Sequence, residues 1–269
     1  MTAFARKVAA LANVAEDRLQ RLAGGDLSEA LLVPRPDGRS SVAKGGPAAA
    51  AEAAMLRALA GAGTPVPQVE AEHEGVLFLS FVENDRVFSG AAWRDLGLRL
   101  RALHEHRGER YGWPVDYRIG TVDIDNRESG SWPVFWAEQR LVATARVLDR
   151  PWRDRIEALA RTLGDRLPAD PPAALLHGDL WGGNILVRDG RLAALIDPAC
   201  YYGDAEVDLA MLTLFDTPAP DFWESYGRLA PGWAERRRLY QLFPALLHLR
   251  LFGASYAGMV DRLLTAIGA

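Results

Sequence analysis

The sequence predicts an α+β fold in two lobes, a small N-terminal lobe built on an antiparallel sheet (residues 1–83) and a larger, mainly helical lobe (84–269). Two observations predict it. Short apolar runs separated by turn residues fill the chain before residue 84, the pattern of strands. From Trp93 onward leucines recur instead at three- and four-residue spacings, the pattern of amphipathic helices. With 269 residues, 49% of them apolar and 25% charged, the chain has material for a sizeable core.

Taken in order, Phe4, Val8, Leu11, Val14, Leu19 and Leu22 fall at mostly helical spacing, predicting an opening helix over 3–23 that stops at Gly24-Gly25. Residues 30–33 and 40–44, either side of Pro-Arg-Pro-Asp-Gly, predict a hairpin turning at Asp37-Gly38. The alanine-rich stretch 48–62 favours helix. Segments 66–69 and 75–82 read as two further strands, and the second is so apolar that burial on both faces is expected. Helices follow over 91–107, 133–149 and 151–166, then a hairpin of 185–187 and 192–196 around Asp189-Gly190, then helices from 205 to the end.

Composition narrows the function. A net charge of −4 excludes a generally basic, nucleic-acid-coating protein. No run approaches the roughly 18 to 20 apolar residues that a membrane-spanning helix needs, and Glu16, Asp17 and Arg18 interrupt the first apolar stretch, unlike a signal peptide. One cysteine, Cys200, forms no internal disulfide and suits a reducing compartment. A cytoplasmic protein with no membrane partner is expected. The only lysines among 31 basic residues are Lys7 and Lys44. An arginine-favouring genome explains the bias, but a site needing one compact ammonium would also resist replacement by the bulkier guanidinium.

The most specific stretch is His177-Gly-Asp179-Leu-Trp181-Gly-Gly-Asn184, with Ile196-Asp197-Pro198 beyond it. Pairing the hairpin across Asp189-Gly190 sets Val187 opposite Leu192 and Asn184 opposite Leu195, so Asn184 and Asp197 emerge at one end of a two-stranded ribbon. A carboxylate and an amide oxygen converging there suit Mg²⁺ and, through it, a nucleotide. Asp179 on the feeding loop would then accept a hydroxyl proton as the hydroxyl attacks a phosphoryl group. These positions match H-x-D-x-x-x-x-N with a downstream Asp, the pattern of a kinase catalytic loop. His177 reads as a brace for the loop, and Trp181 as a packing anchor or a sugar platform. A kinase-like site also requires a phosphate cover, a lysine and a glutamate that holds it. Gly24, Gly25 and Ser28 can form the cover, although a glycine pair after a helix is also a common cap. Lys44 at a strand end and Glu52 on the next helix form the expected pair.

At these residues the chain resembles the fructosamine kinase (ketoamine kinase) family, within the aminoglycoside-phosphotransferase-like branch of the protein-kinase fold. The matching text is GGDLSEALLV (24–33), VAK (42–44), LHEH (103–106), Asp125-Asn126 with Trp132 and Trp136 beyond, LLHGDLWGGNILV (175–187) and IDPACYYGDAEVDLAM (196–211). The resemblance implies ATP-dependent phosphorylation of the sugar 3-hydroxyl of ketoamines, whose unstable 3-phosphate eliminates and frees the amine. On that pattern Asp179 is the base, Asn184 and Asp197 hold Mg²⁺, and Lys44, anchored by Glu52, contacts the α- and β-phosphates. Ser80, Phe81, Val82 and Glu83 form the hinge against adenine, and Asp125, Asn126 and Trp181 touch the acceptor, either a small ketoamine or a glycated protein. The chain departs from the family where Arg127-Glu128-Ser129-Gly130 replaces a Tyr-Ile-Gly-like stretch, which bears on acceptor preference. Cys200 stands where a small residue is common and reads as a buried apolar residue.

Three alternatives stand beside this expectation. A protein kinase lacks support, since no Ala-Pro-Glu segment follows Asp197. A related phosphotransferase acting on an aminoglycoside, choline or homoserine would use the same residues. A silent binding protein would not need Lys44, Glu52, Asp179, Asn184 and Asp197 together. Oligomeric state is left open.

Overall fold

A computed structural model describes residues 2–22, 29–46 and 48–269. Five antiparallel strands form the N-terminal sheet in the order β1 (Gln20–Arg21), β2 (Ala30–Pro34), β3 (Ser40–Gly45), β5 (Val76–Ser80), β4 (Val69–His73). Side chains alternate across a strand, and here the alternation sorts the core. Leu31, Val33, Ala43, Val76 and Phe78 face helix α1 (Ala3–Ala12). Leu77 and Leu79 face helix α2 (Ala49–Gly61). Lys44, one residue beyond Ala43, therefore points to the α2 side. β5 is buried on both faces, as its composition predicts.

The opening helix is shorter than its apolar spacing predicts. It ends at Ala12 because Asn13 adopts a left-handed conformation (φ 53°) and caps the last carbonyls, a role that suits asparagine. Val14 and Leu19 then pack onto the sheet's core from a short turn, and β1 pairs with β2. The predicted stop at Gly24-Gly25 lies outside the described residues.

The helical lobe carries α3 (Gly90–His104), a small hairpin β6 (Tyr117–Ile119) and β7 (Val122–Ile124), and α4 (Trp132–Phe135) running into a π-helical segment (Trp136–Val142) and α5 (Ala143–Ala145). Next come α6 (Arg150–Ala160), α7 (Leu163–Arg166), β8 (Ala174–Leu175), the ribbon β9 (Ile185–Arg188) and β10 (Arg191–Leu195), and β11 (Tyr202–Gly203), which pairs with β8. Helices α8 (Glu206–Phe215), α9 (Pro220–Tyr226), α10 (Trp233–Phe252) and α11 (Ala257–Ile267) complete it. Trp132, Trp136 and Tyr240 sit at its fully buried centre, where the Trp132 indole donates to the Tyr240 hydroxyl (2.9 Å). Met55 and Leu59 of α2 belong to this larger core, while Ala53 and Leu56 belong to the sheet's. One helix thus serves both lobes.

Among the described residues no helix is long and apolar enough to cross a membrane.

Candidate active site

The ribbon positions the site. Leu192 pairs with Val187 as predicted, but a bulge between Leu192 and Ala194 shifts the register, so Leu195 lies opposite Ile185 rather than Asn184. An extra residue in one strand is what a bulge inserts. Asn184 and Asp197 still leave the ribbon at the same end, because the Ile196 amide donates to the Asn184 carbonyl (3.0 Å). Asp197 itself has φ 55°, an unusual conformation for a non-glycine residue and one that Asp tolerates better than most. It turns the carboxylate back toward the N-terminal lobe.

There Lys44 Nζ donates to Glu52 Oε1 (2.6 Å) and to Asp197 Oδ1 (2.5 Å). The Lys44–Glu52 pair expected from the sequence is formed, and the same ammonium links the two lobes. Burial acts to lower the Lys44 pKa, but the carboxylates of Glu52 and Asp197 outweigh it and hold the amine above its ordinary value. Lys44 is therefore a permanent cation in a tight space.

Asp179 sits 2.8 to 3.0 Å from Asn184: the Asn184 side-chain amide donates to both the carbonyl and the Oδ2 of Asp179. Burial pushes the Asp179 carboxyl up to about 7, against the lowering pull of that hydrogen bond. A carboxylate poised near neutrality suits proton acceptance. With its nitrogen turned to Asp179, the Asn184 amide leaves its oxygen without a donor among the described residues.

Asp208 fixes the loop from below. Its two oxygens accept from the amides of His177 and Gly178 (both 2.8 Å), and Oδ2 also meets His104 Nε2 at 3.2 Å. Burial alone would raise the Asp208 carboxyl, but His104 and these amides hold it below its usual range. Gly178 has φ 82° and passes so close to the chain that a Cβ would lie 2.0 Å from the Ala199 carbonyl oxygen. His177 is a brace, as expected: burial keeps its pKa low, and Nε2 meets the Ile196 carbonyl at 3.0 Å. The sequence reading assigned no role to Asp208 or His104, although both lie in the matching text at 196–211 and 103–106, and Asp208 stands as an acid inside an apolar helix.

Other expected positions divide. The amides of Ser80 and Phe81 are already used, donating to Gln68 and Ser40 carbonyls, and Ser80 Oγ accepts from the Gln68 amide. The Val82 carbonyl accepts from the Asn84 side chain, and the Glu83 carboxylate pairs with Arg188. In the 80–83 segment the Val82 and Glu83 amides have no partner among the described residues. Gly24, Gly25 and Ser28 lie outside the described residues. Asn126 needs correction as an acceptor contact. It is 0% exposed, and its side-chain oxygen accepts from the guanidinium of the buried Arg140 (2.8 Å), so it shapes the loop from within. Asp125 is paired with Arg127. Trp181 is 40% exposed beside the loop.

A small antiparallel sheet carrying a lysine–glutamate pair, facing a helical lobe with an Asp, Asn and second Asp on a loop and ribbon, defines an ATP-dependent phosphotransferase of the kinase-like fold. Comparison narrows the class. The profile of the fructosamine kinase family matches residues 9–268, and the chain belongs to that family. A Thermus thermophilus protein named a probable ketoamine kinase is 38% identical over 224 residues, covering 80% of this chain and 81% of the relative. The crystal structure of a Thermobifida fusca protein provisionally named a fructosamine-3-kinase superposes with a TM-score of 0.87 at 30% identity, covering 98% of both chains. A macrolide 2'-phosphotransferase of Brachybacterium faecium, 19% identical with a TM-score of 0.61 over 97% of this chain and 95% of the other, shares the fold.

Proposed function

We propose that this protein phosphorylates the 3-hydroxyl of the sugar in ketoamines such as fructosamines or ribulosamines, using ATP, with residues 1–83 as the nucleotide lobe and 84–269 as the acceptor lobe. The observation that carries the reading is the convergence of Lys44, Asp179, Asn184 and Asp197 from both lobes onto one cleft, in a chain of the fructosamine kinase family.

Mg²⁺ suits the donors present. Asn184 offers an amide oxygen with no donor among the described residues and Asp197 a half-exposed carboxylate, hard ligands for an ion that fills its remaining positions with water and phosphate oxygens. When bound, the ion would neutralise charge on the transferring phosphates. Lys44 would bind the α- and β-phosphates. Asp179 would orient the acceptor hydroxyl and take its proton. The Asp208 bonds keep the backbone of the loop in place while this happens. A phosphate on C3 of a ketoamine is then a leaving group: enolisation toward C1 expels it with the C3–O bonding pair, and water releases the amine from the resulting imine.

Asp179→Asn tests the assignment. It removes the base and keeps the donors of Asn184 and Asp197, so turnover falls by about 10² to 10⁴ while equilibrium dialysis still shows ATP binding in Mg²⁺. Turnover near the parent level would remove Asp179 from this role.

A further inference from the structure

Beyond Trp181 lies an unbroken row of aromatic rings. The Trp181 and Phe215 centroids are 6.2 Å apart, Phe215 and His248 4.9 Å, His248 and Phe252 5.4 Å, and His248 and Tyr256 5.0 Å. The rings come from four places: the catalytic loop, the last residue of α8, the C-terminal half of α10 and the turn after it. Asp216 ties the start of the row to the loop, because its carboxylate accepts from the Gly182 amide (2.7 Å). The row is therefore fixed relative to Asp179 through covalent and hydrogen-bonded links.

Two properties set this row apart from ordinary core. Its rings are not fully covered: Trp181 is 40% and Phe252 37% exposed, and Phe215, His248 and Tyr256 are half-buried. Large rings gain most from burial, and a contiguous exposed apolar patch marks a binding surface. The row is also uncharged. His248 Nδ1 donates to the Pro244 carbonyl (2.8 Å), and burial lowers its pKa, so the ring is neutral with a lone pair on Nε2. The Asp216 carboxylate stands at the start of the row, where it accepts from the Gly182 amide.

We propose that this row is the subsite for the amine portion of the acceptor, and that it takes ketoamines whose amine carries an apolar or planar group in preference to those built on a charged amino acid. The inference rests on the ketoamine-kinase reading for the position of the sugar. Continuity with Trp181 and Asp179 identifies the occupant: whatever is attached to a sugar held at the catalytic loop meets these rings next. A flat hydrocarbon group stacks on them, whereas a carboxylate must be desolvated against the rings and faces the Asp216 carboxylate, the Arg86 guanidinium being engaged with the Gly183 carbonyl at the Trp181 end.

Titration calorimetry on the full chain decides it, with three adducts of one sugar, on benzylamine, butylamine and glycine. The parent protein binds the benzylamine adduct about tenfold more tightly than the glycine adduct, with butylamine between. His248→Ala and Phe252→Ala bring that ratio to about twofold without weakening the glycine adduct. Phe252 lies at the surface, so its variant remains informative if His248→Ala folds poorly. Equal affinities in the parent protein, or variants that weaken all three adducts alike, overturn the subsite. Phosphate transfer to the same adducts separates the two claims. Transfer without amine preference leaves the kinase reading and removes the subsite; preference without transfer removes the kinase reading and with it the assignment of the row to an acceptor.

Discussion

At the residue scale, the proposed chemistry depends on two groups held in opposite states. Asp179 has no cationic partner among the described residues, and burial raises its carboxyl to about 7. A carboxyl whose folded pKa lies above its unfolded value stabilises the protein fully below the unfolded value, near 3.9, and that contribution disappears as pH rises through about 7. Asp179→Asn, neutral at every pH, therefore melts higher than the parent at pH 8 without nucleotide or divalent cation, by roughly 2–4 °C for each kcal/mol relieved. The gain fades toward pH 5, as a thermal-shift series across pH would show. Lys44 is the reverse case, a cation fixed between two carboxylates at 2.5 and 2.6 Å. Lys44→Arg places a planar fork where a point charge fits, and kcat/KM for ATP drops by tenfold or more, measured against an unchanged far-UV spectrum. Lys44, Glu52, Asp179, Asn184 and Asp197 were legible in the sequence because each is a specific residue type at a fixed spacing. Asn126 was not, because sequence cannot show that its partner is the buried Arg140, fourteen positions on.

At the scale of elements, the loop that carries Asp179 is held by a helix that contributes none of the proposed catalytic groups. Asp208 on α8 accepts the His177 and Gly178 amides, and its carboxyl is kept below the usual range. Such a group contributes stability above its unfolded pKa and loses it as pH falls through the folded value. Asp208→Asn presents an amide nitrogen to one of these donors, costing on the order of 3 kcal/mol, and flattens the acid limb of the stability curve. Urea unfolding between pH 3 and 7 measures both. Most of the longer strands and helices were readable from period and turn residues, but β4 runs over Val69–His73 where 66–69 was expected, and the two-residue strands β1, β8 and β11 are too short to register. Three further features were not legible. The bulge in β10 replaces strict alternation by a local irregularity that no composition signals. Asn13 ends α1 although the apolar spacing continues past it into residues that pack from a turn. The β6–β7 hairpin is only three residues a side, too short for period to register.

For the whole molecule, the two lobes share a helix and an ion pair. Met55 of α2 sits in the larger core, and its sulfur accepts from the Cys200 amide (3.3 Å), while Leu56, its neighbour, packs under the sheet. The lobes accordingly unfold together, in one calorimetric transition whose calorimetric and van't Hoff enthalpies agree. Met55→Ala costs about 2–5 kcal/mol and lowers that transition. The two-lobed α+β class was legible because strand and helix patterns segregate along the chain; the shared helix was not, since both its apolar faces look alike in an alanine-rich sequence. The central claim is that this cleft transfers phosphate from ATP to a ketoamine sugar. The most direct measurement is ATP consumption by the purified protein with Mg²⁺ and a panel of ribulosamines, fructosamines, aminoglycosides and choline, with the phosphate located on each product by NMR. The account predicts a ketoamine phosphorylated at the 3-hydroxyl; turnover confined to an aminoglycoside or choline would contradict it.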